Sequence, residues 1–150
     1  MTLKTGVSEM VAEANKHITT LSVEEAAAQL NNPDYLFVDL RDVRELEREG
    51  TVPNAFNATR GMIEFWVDPK SPYFKKEFDQ GKTCVFFCQS GWRSALATKA
   101  VQDMGMTDVA HIDGGFRAWN DGERPTQTYA ENRAARKALR SDDSKDDKKA

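Results

Sequence analysis

Cysteine and histidine are scarce in this chain of 150 residues, which contains two of each. Two cysteines are too few for a disulfide framework. Cys84 and Cys88 lie on one extended run, about 13 Å apart at the usual strand rise, whereas a disulfide needs Cα atoms within roughly 7 Å. Both thiols are therefore expected to be free, as in a reducing compartment. No Cys/His spacing resembles a ligand set, so neither a metal nor another cofactor is expected. Long apolar runs are missing as well. None approaches the ~18 residues that cross a membrane, and residues 1–16 lack the unbroken apolar stretch of a secretory signal. Charge of one sign is not in excess: 21 Lys and Arg against 24 Asp and Glu leave −3, without the basic footprint of a nucleic-acid binder. A cytoplasmic protein with neither a membrane nor a nucleic-acid partner is the expectation.

What is present suffices for one domain with a sizeable core, since 39% of residues are hydrophobic and 30% charged. Val7, Met10, Val11 and Ala14 fall at helical spacing, so residues 1–16 read as an N-terminal extension, helical and packed against its own domain. Ser22 and Glu25 form a capping-box pattern ahead of Val23, Ala26, Ala27 and Leu30, and Pro33 forbids continuation of that helix. Tyr35-Leu36-Phe37-Val38-Asp39-Leu40 and Cys84-Val85-Phe86-Phe87-Cys88 are continuous apolar runs of the kind buried on both faces of a parallel sheet. Residues 41–49 read as a short solvated helix stopped by Gly50, and Pro53 limits residues 52–58 to a short strand. Phe65, Trp66, Tyr73, Phe74 and Phe78 mark an aromatic-rich connection of short helices broken at Pro69 and Pro72. Phe65, Trp66, Phe74 and Phe78 read as core or pocket wall rather than a cofactor box.

Ala97, Ala100, Val101 and Met104 give a helix face that Gly105 ends. Residues 109–112 form a last strand, followed by Gly114-Gly115 and a brief helix. The alternation implies an α/β fold over residues 17–127, with a mainly parallel central sheet and helices on both faces. Thr128 and Glu131 cap a C-terminal helix over residues 128–140, and residues 141–150, made only of Ser, Asp, Lys and Ala, read as a disordered charged tail.

The chemistry concentrates in Cys88-Gln89-Ser90-Gly91-Trp92-Arg93-Ser94, where a buried strand turns into a helix. Backbone N–H groups and the helix dipole gather there and favour an anion, biasing the thiol toward thiolate. Cys88 is the nucleophile by position, at the carboxyl end of a strand where α/β folds bind ligands. Cys84, inside the strand, fills core volume. A Cys–His hydrolase needs a base near its nucleophile. His17 lies at the very start of the domain and His111 reads as a structural strand residue, so neither is assigned that role.

Three separated motifs resemble the rhodanese (sulfurtransferase) family. Asp39-Leu40-Arg41, with Glu45 and Gly50-Thr51-Val52-Pro53-Asn54-Ala55, is similar to its Asp-Val-Arg and Gly-His-Ile-Pro-Gly-Ala segments. The Cys88 loop matches Cys-x-x-Gly-x-Arg-Ser, and Gly114-Gly115-Phe116-Arg117-Ala118-Trp119 matches the closing Gly-Gly-Phe-x-x-Trp. The likeness runs from about Ile18 to Pro125 and implies the rhodanese-like three-layer fold. Thr51 and Asn54 depart from the common His and Gly. Where some relatives carry a basic residue facing the substrate, this chain has Pro53, which leaves Arg60 as the candidate substrate guide.

The resemblance implies that Cys88 takes sulfur from a donor such as thiosulfate, holds it as a persulfide and passes it to cyanide or a thiol, with a protein acceptor as a further candidate. It implies a loop of Gln89, Ser90, Gly91, Trp92 and Arg93 that binds substrate and supplies N–H groups to the persulfide. Gly91 would provide a backbone conformation that a side chain hinders, and Arg93 a pocket wall that guides anions. Trp92 reads either as a shield over the persulfide or as an exposed residue at the loop edge. Asp39 and Arg41 read as a supporting ion pair rather than acid–base catalysts. The Gly114-Gly115 turn reads as a point where backbone approaches the loop. Two other readings stand beside sulfur transfer. One is a non-enzymatic sulfur carrier or docking module. The other is a cysteine phosphatase, whose loops resemble Cys-x5-Arg, whereas four residues separate Cys88 from Arg93 here.

Overall fold

The computed structural model describes residues 1–149, with side chains described as far as Asp142 in the last helix. Five parallel strands form one sheet: β1 (Thr19–Leu21), β2 (Tyr35–Asp39), β3 (Phe56–Asn57), β4 (Thr83–Phe87) and β5 (Val109–Ile112), in the spatial order β1-β5-β4-β2-β3. Among the described residues seven helices connect and flank them: α1 (Val7–Asn15), α2 (Val23–Ala27), α3 (Val43–Glu49), α4 (Ile63–Val67), α5 (Trp92–Asp103), α6 (Gly115–Asp121) and α7 (Tyr129–Lys149). Short 3-10 turns occur at Arg60–Met62 and Lys76–Phe78.

The two apolar runs became the sheet centre because every residue on them is useful on one face or the other. Leu36 and Val38 of β2 and Cys84 and Phe86 of β4 join Ala97 and Val101 of α5 and Ile63 of α4 in one buried cluster. Their neighbours Phe37, Val85 and Phe87 point the opposite way, into a second cluster with Ala26 of α2 and Phe116 and Trp119 of α6. This period of two gives three layers, helix on sheet on helix. Trp119 anchors the second layer: its ring meets Phe37 edge-on at 6.2 Å, and its indole N–H donates to Pro125 O at 2.7 Å. Truncating a buried aromatic such as Phe86 to alanine should cost about 3–5 kcal/mol. Outside these layers, Val11 and Ala14 of α1 pack on Ala95 of α5.

Local chemistry sets the helix starts. Ser22 and Glu25 close a reciprocal capping box on α2, Asp42 and Glu45 close one on α3, and Thr128 and Glu131 exchange the same bonds at α7. The elements differ from the sequence reading, or go beyond it, at four places. The α2 helix stops at Ala27 and continues as tight turns, with Leu30 N–H bonding Ala27 O, because the chain must reverse before Pro33. The α5 helix starts at Trp92, directly after the loop glycine. Strand β1 was not foreseen; its Thr-Thr-Leu is short and largely exposed, without an apolar alternation to mark it. Residues 141–149 continue α7, and Ala150, the last residue of the expected charged tail, lies outside the described residues. Their composition leaves little to bury, but no glycine or proline follows Pro125 to stop backbone hydrogen bonds from propagating along the helix. That helix is tied in by paired Thr51–Gln127 backbone bonds and by the buried Asn132 amide, which donates to Ala55 O at 3.0 Å. Among the described residues, no helix is long and apolar enough to cross a membrane.

Candidate active site

Strand β4 delivers Cys88 to the end of the sheet, and Gly91 turns the chain into α5 with φ at +110°, a left-handed conformation that side chains resist. The turn aims two backbone donors at the sulfur. Gly91 N–H lies 3.2 Å and Ser94 N–H 3.4 Å from Cys88 Sγ. Ser94 Oγ is 3.6 Å away and can accept from the thiol. N–H groups fixed in this way stabilise negative charge on the sulfur without reorganising. Of the loop residues Gln89 to Arg93, Gly91 directs its N–H at Cys88 Sγ, and Ser94, just beyond them, does the same. Cys88 is 1% exposed, whereas the loop residues Ser90 and Trp92 that follow it are exposed. Of the two alternatives for Trp92, the structure has it half exposed.

The other thiol marks the contrast. Both cysteines are free. Burial pushes the Cys84 thiol up to about 12, opposed only weakly by Lys82. A thiol in that state is inert at neutral pH.

The loop is clamped from behind by α6. Phe116 N–H donates to Cys88 O at 2.8 Å and Arg117 N–H to Gln89 O at 3.1 Å. Gly115, at φ +59°, permits this approach, because a Cβ there would collide with the Cys88 carbonyl oxygen and lie 2.8 Å from Gln89 C. A second clamp is the fully buried Arg41. Its guanidinium makes bidentate contact with Asp39 (3.1 and 2.9 Å), reaches Glu49 (3.2 Å), Gly50 O (2.7 Å) and Gln89 Oε1 (3.1 Å), and lies over the Phe116 ring at 4.2 Å. Thr51, in the place where relatives often have histidine, donates its hydroxyl to Asp39 Oδ2 at 2.7 Å. Asp39 and Arg41 therefore act as a joint between the ends of β2 and α3 and the Cys88 loop, and touch no sulfur.

Arg93 is held by Glu45 through two hydrogen bonds of 2.9 Å. This pairing raises the arginine pKa and lowers that of Glu45, with Cys88 close enough to add to the first effect. The guanidinium thus flanks the loop, paired across to α3. Arg60 does not join the loop. Its guanidinium pairs with Glu64 at 2.8 Å, and the residue lines a groove with Met10, Leu96 and Ala100 between α1 and α5. The guide role fell to it by default, for want of a basic residue at Pro53; in the structure the 3-10 turn carries it toward α1 instead.

His111 is the main surprise. Expected to be structural, it faces the Ser94 hydroxyl, with Nδ1 at 2.9 Å from Oγ, and so connects indirectly to Cys88. Burial lowers its pKa, with Asp113 opposing. Spacing gave no sign of this link, since positions 94 and 111 meet only when β5 packs under α5. Among the described residues no group of three His, Cys, Asp or Glu is arranged to hold a metal ion.

Comparison with known proteins places this geometry in context. The family model of the rhodanese-like domain matches residues 22–121. A protein of unknown function from Rhodopseudomonas palustris, described as a possible tyrosine phosphatase, is 49% identical and superimposes with a TM-score of 0.82 over 85% of this chain and 98% of its own. The polysulfide-sulfur transferase of Wolinella succinogenes, a homodimer, is 28% identical with a TM-score of 0.60, covering 79% of this chain and 84% of its own. The thiosulfate sulfurtransferase GlpE of Pseudoalteromonas translucida is 29% identical over 106 residues, 71% of this chain and 90% of its own.

Proposed function

Since the chain belongs to the rhodanese-like domain family, we propose that it is a sulfurtransferase working through a persulfide on Cys88. The observation that carries this reading is the pair of backbone N–H groups, from Gly91 and Ser94, directed at Cys88 Sγ. In the first half-reaction the Cys88 thiolate attacks the outer sulfur of a donor such as thiosulfate. The donor S–S bond breaks, and sulfite leaves with the bonding pair. The new Cys88 persulfide is anionic, and the two loop donors stabilise it. In the second half-reaction cyanide, a small thiol or a protein thiol attacks the outer sulfur, and Cys88 departs as thiolate. This is covalent ping-pong catalysis, and it needs no separate cofactor.

The narrow loop favours sulfur over phosphate. Four residues separate Cys88 from Arg93, and that arginine is engaged by Glu45 rather than free to wrap a tetrahedral anion. The name of the Rhodopseudomonas relative makes the alternative worth measuring. Intact-protein mass after incubation with thiosulfate tests the proposal. A gain of one sulfur atom, removed by cyanide and absent in Cys88→Ser, is the expected result. No gain with thiosulfate, polysulfide or a small persulfide rejects it, and turnover of an aryl phosphate dependent on Cys88 would replace it with the phosphatase reading.

A further inference from the structure

Asn15, Ser94 and His111 stand far apart in sequence, yet they form one file of hydrogen bonds that ends at Cys88. His111 Nε2 lies 3.1 Å from Asn15 Oδ1 and 3.2 Å from Thr20 Oγ1. An amide oxygen only accepts, so Nε2 carries the ring proton and Nδ1 is left as an acceptor. The atom opposite Nδ1 is Ser94 Oγ at 2.9 Å, which must then donate to it. The competing acceptor for that hydroxyl, Gly91 O, is farther at 3.3 Å. With its hydrogen turned to the ring, Oγ presents lone pairs to Cys88, whose thiol donates across 3.6 Å. The bonds therefore share one direction, from sulfur to ring.

We infer that Cys88, Ser94 and His111 form a proton relay, in which His111 Nδ1 receives the Cys88 thiol proton through the Ser94 hydroxyl while Asn15 and Thr20 hold the ring in the accepting tautomer. The step balances internally. The S–H bond breaks and its proton goes to Ser94 Oγ, while the hydroxyl proton passes to Nδ1. The products are a thiolate, an intact serine and an imidazolium. Nothing is oxidised and no further reactant is consumed. What the thiolate then does rests on the sulfur-transfer reading; its formation does not.

His111 touches no reacting atom, so it is a positioning residue. It is 2% exposed and packs among Asn15 of α1, Thr20 of β1, Ser94 of α5 and Phe86, its register partner on β4. Among the described residues Asp113, beyond the end of its own strand, is the charged group acting on it. Burial keeps the ring neutral at neutral pH, which is the state a proton acceptor requires. Asn15 and Thr20 precede the residues that the family model matches, so the N-terminal segment contributes directly to this device.

The test is the rate of Cys88 alkylation by iodoacetamide between about pH 5 and pH 9, followed by peptide mass. Full-length wild type, Ser94→Ala, His111→Gln and Asn15→Ala are compared, and sulfur gain from thiosulfate is measured on the same samples. In the wild type the rate should fall on the acid side as the ring protonates. In His111→Gln and Ser94→Ala the part of that fall due to the ring should disappear, leaving only the single acid-side fall that any thiol shows, with a rate at neutral pH lower by on the order of a hundred-fold. Asn15→Ala alters an exposed side chain, so it keeps the test open if His111→Gln does not fold; it should slow alkylation about three-fold, as expected for one lost hydrogen bond. Superimposable pH profiles for wild type and Ser94→Ala overturn the relay. Because alkylation needs no sulfur donor, shifted profiles without sulfur gain keep the relay and reject the sulfur-transfer reading. Sulfur gain with unshifted profiles does the reverse.

Discussion

Replacing Gly115 by alanine isolates the contact that holds the Cys88 loop against α6. The new β-carbon would collide with the Cys88 carbonyl oxygen and lie 2.8 Å from both the carbonyl carbon and the oxygen of Gln89. These are backbone atoms, so no side-chain rotation relieves the overlap. Holding alanine at φ +59° costs about 1 kcal/mol. Pushing the loop away weakens the bonds from Phe116 and Arg117, at about 1 kcal/mol each. The total is about 3 kcal/mol, which corresponds to a Tm lower by roughly 6–12 °C for a domain of this size. Gly81 supplies the control. Its φ is +68°, with nothing within 4 Å of a built Cβ, so Gly81→Ala should lose only the conformational share, about 1 kcal/mol. Calorimetry or urea unfolding measures both variants. The same displacement, about 1 Å at the loop, should slow persulfide formation on the order of a hundred-fold in Gly115→Ala and leave Gly81→Ala unaffected. Equal stability and equal sulfur loading in the two variants would refute the clamp.

Two further perturbations probe the supports around the loop. Arg41→Lys keeps the charge but loses the planar fork that reaches Asp39, Glu49, Gly50 and Gln89 together; urea unfolding should show a loss of about 3 kcal/mol, and wild-type stability would contradict the joint assigned to it. The Glu45 carboxyl has its pKa lowered by the hydrogen bonds from Arg93, so its contribution to stability is complete above the ordinary glutamate range and is lost as pH falls through the lowered value. With Arg93 partly exposed, that contribution is at most about 1 kcal/mol. Urea midpoints from neutral to acid pH should therefore fall less steeply in Glu45→Gln than in the wild type, and parallel curves would show that the pair adds nothing.

The centre of this molecule was legible because its signals are local. Strands β2 and β4 are unbroken apolar runs, the Cys88 loop joins β4 directly to α5, and Gly114-Gly115 announces a close approach by its composition. Residues joined only by tertiary packing were not. Glu45 and Arg93 both belong to recognised motifs, but nothing in either motif pairs them. Ser94 and His111 meet because β5 lies beside β4 under α5, and Asn15 reaches His111 from a helix outside the matched domain. Strand β1 has no pattern of its own and exists through pairing with β5. Arg60 was chosen by elimination, and elimination carries no geometry.

The strand order also sets a schedule for biosynthesis. Within the sheet β1 has β5 as its neighbour, so a segment that leaves the ribosome early cannot dock until residues 109–112 have followed it. Pairing across such a separation is slow, because most of the chain must be gathered first. Strands β2, β3 and β4, with the Cys88 turn, precede that moment, whereas the Asn15–His111 bond and the α6 clamp must wait for it. The nascent chain therefore carries Cys88 for a time without the Asn15–His111 bond and without the α6 clamp. A release assay on stalled chains of increasing length, read by Cys88 alkylation, would find that reactivity changes when β5 and α6 emerge.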